Sequence, residues 1–83
     1  MANLIALAEL PLGQTGRVRQ LMTSDLARRR LLDLGLIPET KVEALRQSPS
    51  GDPTAYQIRG AVIALRSEEA FRILVEPSAD GQS

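Results

Sequence analysis

Turn-forming residues divide the chain from Gly35 onward into short pieces, and this division constrains the fold more than any other feature of the sequence. Gly35 and Pro38 stand close together, a polar loop runs from Ser48 to Pro53, and Gly60 marks a tight turn. The pieces between and beyond these breaks carry alternating or β-branched apolar residues, which predict strands. The predicted strands are Lys41–Gln47, Thr54–Arg59, Ala61–Arg66 and Ile73–Glu76.

One helix is predicted ahead of these strands, from Asp25 to Leu34. Its apolar residues recur with a helical period and indicate one buried stripe, formed by Ala27, Leu31 and Leu34. Polar residues that cap free N–H groups stand at its start, namely Thr23, Ser24 and Asp25. Gly35 ends the helix, because glycine adopts a left-handed conformation without steric cost, and Pro38 follows. We expect Leu36 and Ile37 to return to the core.

The first half of the chain and the end of the sheet contain shorter elements. Leu4–Leu12 favours a single helical turn, and Arg17–Met22 is predicted as a strand. A bulge is expected in that strand, because Val18 and Leu21 are three positions apart. Near the carboxyl end, Ser67 is expected to cap one further helical turn, which covers Glu68–Arg72.

These elements predict a mainly β fold with one principal helix. Five short strands in a chain of 83 residues are typical of a small, partly open barrel that protects its edges by curling. Residues 1–76 are expected to form this one domain. Residues 77–83 are small and polar, and we expect them to form a flexible tail.

The side chains that most active sites and metal sites require are missing from the chain. It has no cysteine and no histidine, which excludes Cys/His zinc sites, thiol redox chemistry and His acids or bases. Its acidic residues are scattered, and the adjacent Glu68 and Glu69 diverge on a helix. We therefore expect no metal, no cofactor and no enzymatic activity. No run of the roughly 18–20 apolar residues that span a bilayer is present, and the amino terminus does not resemble a secretory signal, so a cytoplasmic protein is expected.

The charges balance to zero over the chain but are distributed unevenly. Arginines cluster in and before the helix, and the carboxyl end is acidic. One interpretation is a basic face, with Arg28 and Arg29, that binds an acidic partner. The alternative is a solvated helix face on which Arg29 pairs with Asp33 at i, i+4.

Two further arginines flank the hairpin at Gly60. Arg59 and Arg66 either keep the surface soluble or frame a partner-binding groove with Tyr56. Small barrels recognise partners through shallow apolar grooves of this kind.

The order and spacing of several short motifs resemble the ferrous iron transport protein A family, the FeoA domain. The matching pieces are Leu7–Leu10 with Gly13, Gly16–Val18, Arg30–Leu36 with Pro38 and Thr40, Ser48–Pro53, and Arg59–Gly60 through Ala64–Arg66 with Glu69–Ala70. One departure is Glu39, which stands where the family pattern commonly has glycine after Pro38. A type II turn needs positive φ at that position, so Glu39 implies either another turn type or a strained one.

The resemblance implies an SH3-like barrel and an accessory role in bacterial ferrous iron uptake. The expected partner is the GTP-binding membrane transporter of that system, protein B, which the chain would bind and regulate or assemble. Contact with the inner membrane would then occur only through that partner. The alternative is an SH3-like module associated with an iron-dependent repressor or with nucleic acid. Zero net charge and an aromatic content of 2% argue against nucleic acid.

Overall fold

Six antiparallel strands form one sheet in the computed structural model, which describes residues 3–78. The strands are β1 Ile5–Ala6, β2 Thr15–Leu21, β3 Lys41–Gln47, β4 Thr54–Ile58, β5 Ala61–Leu65 and β6 Ile73–Pro77. Two α-helices, α1 Asp25–Asp33 and α2 Ser67–Ala70, and a 3-10 turn, Leu7–Glu9, complete the described elements. The strand order is β1-β6-β2-β3-β4-β5, so the sheet is not closed. The predicted mainly β, partly open fold with one principal helix is confirmed.

The amino-terminal segment contains a strand that the sequence did not predict. Ile5 and Ala6 pair with Val75 and Leu74 of β6, and the 3-10 turn follows directly. Two residues are too few to show an alternating pattern, which is why the sequence indicated only a helical turn.

Strands β2 and β6 are both longer than predicted. β2 begins at Thr15 and contains the expected bulge, since its register against β6 shifts between Val18 and Gln20. β6 extends to Pro77, and the Ser78 N–H donates to the Thr15 carbonyl O at 3.0 Å. Pro77 and Ser78, which were expected to belong to the tail, are thus paired with β2. The rest of the expected tail, residues 79–83, lies outside the described residues.

The core lies between the sheet and the segments that cover it, and it is almost entirely aliphatic. Its fully buried side chains include Leu7, Val18, Leu36, Ile58, Leu65, Ile73 and Val75. Tyr56 is the one aromatic side chain among them, and it is 2% exposed. Its hydroxyl points to the Leu7 carbonyl O at 3.5 Å, and burial raises the pKa of Tyr56 above its usual value.

The carboxyl end of α1 is the part of the helix that is fixed to the core. Gly35 has φ +105°, and its N–H donates to the Leu32 carbonyl O at 3.0 Å. The Leu36 N–H donates to the Leu31 carbonyl O, also at 3.0 Å. These two bonds form a Schellman motif, in which the apolar residues Leu31 and Leu36 are both buried.

The rest of α1 is more exposed than its sequence pattern predicts. Leu31 is the only buried residue of the helix, whereas Ala27 is exposed and Leu34 is half-buried. Ile37 is 41% exposed, so only Leu36 of that pair returns to the core. The side chain of Ser24, the N-cap residue, makes no capping hydrogen bond.

Helix α2 is capped by a residue of the loop between β3 and β4. Both the N–H and the hydroxyl of Ser67 donate to the Asp52 carboxylate, at 3.0 and 3.1 Å. Ser67 is thus the first residue of α2 and not its cap. The loop at Ser48–Pro53 is fixed to α2 by these bonds.

Glu39 lies in a type II turn with a strained backbone, which is one of the two alternatives that the sequence predicts. Its φ is +77°, and the Thr40 N–H donates to the Ile37 carbonyl O at 3.0 Å, which fits a type II turn. Strand β2 holds this conformation, because the Glu39 N–H donates to the Val18 carbonyl O at 2.7 Å and the Glu39 carboxylate pairs with Arg19.

We predict that relief of this strain stabilises the fold. Glu39→Gly and Glu39→Gln both remove the charge, but only glycine accepts positive φ without steric cost. Glu39→Gly should therefore have the higher free energy of unfolding, by about 1 kcal/mol. Urea denaturation of the two variants checks this, and equal stabilities would contradict a strained backbone at this position.

Candidate docking surface

Arg28 and Arg29 lie on the solvent side of α1, where the sequence placed them. Both are exposed, and they line a shallow surface together with Asp25, Leu32 and Asp33. The ion pairs between described side chains are Arg19–Glu39, Arg19–Glu76 and Arg30–Glu69. The expected pair between Arg29 and Asp33 is not among them. The exposed side of α1 therefore presents two guanidinium groups that no described carboxylate pairs within 4 Å.

Arg59, Arg66 and Tyr56 do not form one groove. Arg59 lies in the β4–β5 turn, where it has φ +52° and Gly60 has φ +83°. Arg66 follows the opposite end of β5, because the β4–β5 register pairs Leu65 with Thr54 at that end. Tyr56 is in the core. The prediction that these three residues frame one groove is therefore wrong. The ring of Tyr56 is buried, and the two arginines lie at opposite ends of β5, so the three residues share no surface.

A groove lies between α1 and α2, and the sequence did not indicate it. It has a volume of about 380 Å³ and is lined by Thr23, Ala27, Arg30, Leu31, Glu68, Glu69 and Arg72. The Arg30–Glu69 ion pair joins the two helices across it. The other Glu69 oxygen accepts the Arg66 N–H at 3.1 Å. Glu69 thus both caps α2 and connects it to α1.

Three large exposed apolar side chains, here called the apolar rim, each adjoin in sequence a residue that lines this groove, namely Thr23, Ala27 or Arg72. Leu26 is 81% exposed, Phe71 56% and Met22 50%. Leu26 precedes Arg30 by four positions, so the two share one face of α1. The Met22 N–H donates to the Arg72 carbonyl O at 2.6 Å, which places Met22 next to the Phe71–Arg72 segment. Large exposed apolar side chains next to a groove are candidates for contact with a partner.

The apolar rim was missed because each of its members looks ordinary in the sequence. Leu26 lies one position off the predicted stripe of α1, and Phe71 follows a short helical turn. The one usable signal was Leu26 itself, a large apolar residue in the first turn, outside the helical period.

The electrostatics of the groove differ from those of the outer face of α1. Inside the groove, Arg30 and Arg72 face Glu68 and Glu69, so the opposite charges balance. On the outer face, Arg28 and Arg29 line one shallow surface with Asp25 and Asp33, but no ion pair within 4 Å joins them. A partner that covers both would meet an apolar, neutral centre with guanidinium groups at its border, which is the usual arrangement of protein interfaces.

Two features are absent from the part of the chain that the structure describes. No three Asp, Glu, His or Cys side chains of residues 3–78 come together in a way that could hold a metal ion. Among the same residues, neither helix has the length and the apolar character needed to cross a bilayer.

Comparison with known proteins connects this fold to one family. The FeoA domain model matches residues 5–77. A FeoA protein from Chlorobium tepidum is 36% identical, with a TM-score of 0.84, over 90% of this chain and 71% of that chain. A FeoA-like protein from Clostridium acetobutylicum is 31% identical, with a TM-score of 0.87, over 96% and 93% of the two chains. No curated protein sequence gives a significant match.

Two further solved structures bear on function and on the alternative assignment. The zinc complex of Stenotrophomonas maltophilia FeoA is 32% identical over 84% of this chain and 87% of that chain, with a TM-score of 0.75. It is described as a prokaryotic SH3 domain protein. A manganese-dependent transcriptional repressor is 20% identical over 94% of this chain and 44% of that chain, with a TM-score of 0.82. At that identity the likeness shows the fold alone.

We predict that Tyr56 acts through the core and not through a partner. Tyr56→Phe should lower the free energy of unfolding by less than about 1 kcal/mol, because the hydroxyl contact is long. Tyr56→Ala should lower it by about 3–5 kcal/mol, because it leaves a cavity. Urea denaturation measures both. A Phe variant of unchanged stability that lost partner binding would instead place the hydroxyl in the interface.

Proposed function

The chain belongs to the FeoA domain family, and on that premise we propose that it is a cytoplasmic accessory protein of ferrous iron transport. In this proposal it binds the cytoplasmic part of the GTP-binding transporter of that system and regulates or assembles it. The Stenotrophomonas maltophilia relative is described as a candidate activating factor of bacterial ferrous iron transport, and we extend that role to this chain.

The apolar rim is the observation that carries the proposal. Leu26 is 81% exposed on a helix whose only buried residue is Leu31. A leucine that stays in solvent contributes little to the stability of the free chain. Burial of a leucine or phenylalanine against a partner contributes about 1.5–3 kcal/mol each. Such anchors, at the centre of an interface and surrounded by polar groups, account for most of the binding energy in protein complexes.

We propose that the chain acts by contact and catalyses no reaction itself. Its sequence contains neither histidine nor cysteine, which are the most common general base and thiol nucleophile. Regulation would operate through the partner's own GTPase site. Arg29 and Arg59 are exposed, and either could supply a guanidinium in trans, but no described contact favours that over plain docking. The rate of GTP hydrolysis by the transporter with and without the chain distinguishes regulation from assembly.

The second candidate function is an SH3-like module that works with a repressor or with nucleic acid. Arg28 and Arg29 favour it, because they are exposed, make no ion pair with a described carboxylate, and carry guanidinium groups, which bind phosphates well. The chain as a whole has as many acidic as basic residues, which disfavours nucleic acid as a partner. Retention of the protein on DNA that falls steeply with salt would support this second function.

A matched pair of variants tests the docking surface. We predict that Leu26→Asp weakens binding to the transporter's cytoplasmic domain by at least about tenfold, because it places a charge on a central apolar anchor. Leu12→Asp makes the same change at another exposed leucine, which is 50% accessible and belongs neither to α1 nor to the apolar rim, and it should leave the affinity within about threefold.

Isothermal titration calorimetry with the GDP-bound and the GTP-analogue-bound domain measures both affinities. Failure of the unsubstituted chain to bind in either nucleotide state would overturn the proposed partner. Equal binding by Leu26→Asp and Leu12→Asp would move the docking site away from the apolar rim.

A further inference from the structure

Strand β5 forms an open edge of the sheet. It pairs with β4, and the strand order places no described strand on its other side. The two-residue turn at Arg59 and Gly60, both with positive φ, makes Ile58 and Ala61 a hydrogen-bonded pair. The backbone groups of the odd-numbered residues of β5 therefore face β4, and those of the even-numbered residues face outward.

The hydrogen bonds just beyond β5 agree with this alternation. The Ser67 N–H points back toward β4, where a carboxylate of the loop before that strand accepts it at 3.0 Å. The Arg66 N–H faces the other way and donates to the Glu69 carboxylate at 3.1 Å. The outward groups of β5 itself are thus the N–H and C=O of Val62 and of Ala64, and these four are open to a further strand.

This edge lacks the features that usually prevent strand addition. The five residues of β5 are all apolar, with no charge and no proline, whereas natural edges are typically blunted by such residues. Val62 is 54% exposed, and Ala61 and Ala64 are exposed as well. At the other edge of the sheet, β1 has only two residues and runs directly into a 3-10 turn. A short strand of that kind is itself a protection.

A second copy of β5 uses all of these groups in one antiparallel register. If Ile63 lies opposite Ile63 of the second copy, Val62 lies opposite Ala64 of that copy, and four hydrogen bonds form between the two strands. The two neighbouring registers are poorer. One places Ala64 opposite Gly60, which is in the turn, and the other places Val62 opposite Arg66, whose N–H is already bonded within its own copy.

The side chains of β5 also complement themselves in this register. Ile63 is half-buried and packs against the core. Two such residues in a non-hydrogen-bonded pair have Cα atoms about 4.5 Å apart, so each isoleucine would cover the exposed side of the other and join the two cores. On the same face, the small, exposed Ala61 would lie opposite the large, buried Leu65. Apolar cross-strand pairs of this kind stabilise a sheet.

Neither arginine that flanks β5 opposes the pairing. Arg66 would lie opposite Gly60 of the second copy, which has no side chain. The Arg59 Cδ lies 3.6 Å from the position that a Cβ on Gly35 would occupy, and Arg59 lines a shallow surface with Lys41 of β3. Its side chain is therefore directed toward β3 and away from the open edge. The edge is uncharged and apolar, and β5 itself is an uncharged, apolar strand that complements it.

We propose that β5 pairs with β5 of a second copy of this chain, across a two-fold axis at Ile63. The pairing joins the two sheets and consumes the open edge of both copies, and β1 is too short to extend the assembly, so association stops at the dimer. Five residues a side is far fewer than the roughly 20–30 of a standard interface, so the dimer is weak. No residue of β5 lines the α1–α2 groove, so this pairing stands or falls independently of groove docking.

Single cysteines locate the two-fold axis, because the chain has no cysteine of its own. Ile63→Cys would bring two thiols opposite each other, with Cα atoms about 4.5 Å apart, which a disulfide spans. Val62→Cys would place them diagonally, about 7–8 Å apart, which a disulfide does not span without backbone movement. At about 1 mM protein with limiting oxidant, Ile63→Cys should form covalent dimer at least about tenfold faster. Random collision would give the reverse order, because Val62 is the more exposed residue.

The unsubstituted chain provides a second test that does not depend on the cysteine variants. Between about 10 μM and 2 mM, sedimentation equilibrium should show the mass rising toward the dimer, and the ¹⁵N-labelled amides of Val62 and Ala64 should shift with concentration. Val62→Lys should weaken this association by at least about tenfold, because an edge lysine blocks strand pairing. Gln57→Lys places the same charge beside Val62 on β4 and should leave it within about threefold.

Three results would each overturn the proposal. The first is a monomer mass up to 2 mM. The second is concentration-dependent shifts confined to α1 and α2, which would assign self-association to the apolar rim. The third is cross-linking of Val62→Cys at least as fast as that of Ile63→Cys.

Discussion

The end of α1 at Gly35 is the constraint on which the rest of the structure depends. Two backbone hydrogen bonds, from Gly35 to Leu32 and from Leu36 to Leu31, reverse the chain there. The reversal buries Leu31 and Leu36 together and sends the chain into the turn at Glu39 and then into β3. A residue with a Cβ at Gly35 would be strained at φ +105° and would meet the Ile58 side chain at 3.3 Å. One turn of helix thus fixes the position of α1 relative to β4.

Because α1 is held by its last turn, its first turn stands away from the core. The amino-terminal half projects Leu26 into solvent, and the Arg30–Glu69 ion pair ties the middle of the helix to α2. The groove between the helices exists because these two attachments leave a gap between them. The Asp52 carboxylate holds the start of α2 through Ser67, so the loop at 48–53 also supports the groove. Few residues of α1 contact the core, and for that reason the apolar side chain of Leu26 stays exposed beside the groove.

Much of the fold could be predicted from the sequence, because turn residues and alternation act locally. Lys41–Gln47 has the predicted bounds, and the bulge after Val18 follows from the spacing of its apolar residues.

Long-range effects could not be predicted. β1 exists only because β6 pairs with it, and Asp52 caps α2 from fifteen positions away. The candidate site belongs to this second class, since the exposure of Leu26 and Phe71 depends on how α1 and α2 sit on the sheet. Tyr56 shows the same limit, because the sequence alone did not exclude a place for it in a groove with Arg59 and Arg66 instead of in the core.

In the proposed complex, this FeoA-family chain contacts the transporter through the apolar rim beside the α1–α2 groove. The most direct test is a map of amide chemical shifts of the ¹⁵N-labelled chain during titration with the transporter's cytoplasmic domain. The largest changes should fall on Met22, Leu26, Ala27 and Phe71. Changes confined to residues outside α1 and α2, or no change at saturating concentrations of the domain, would contradict it.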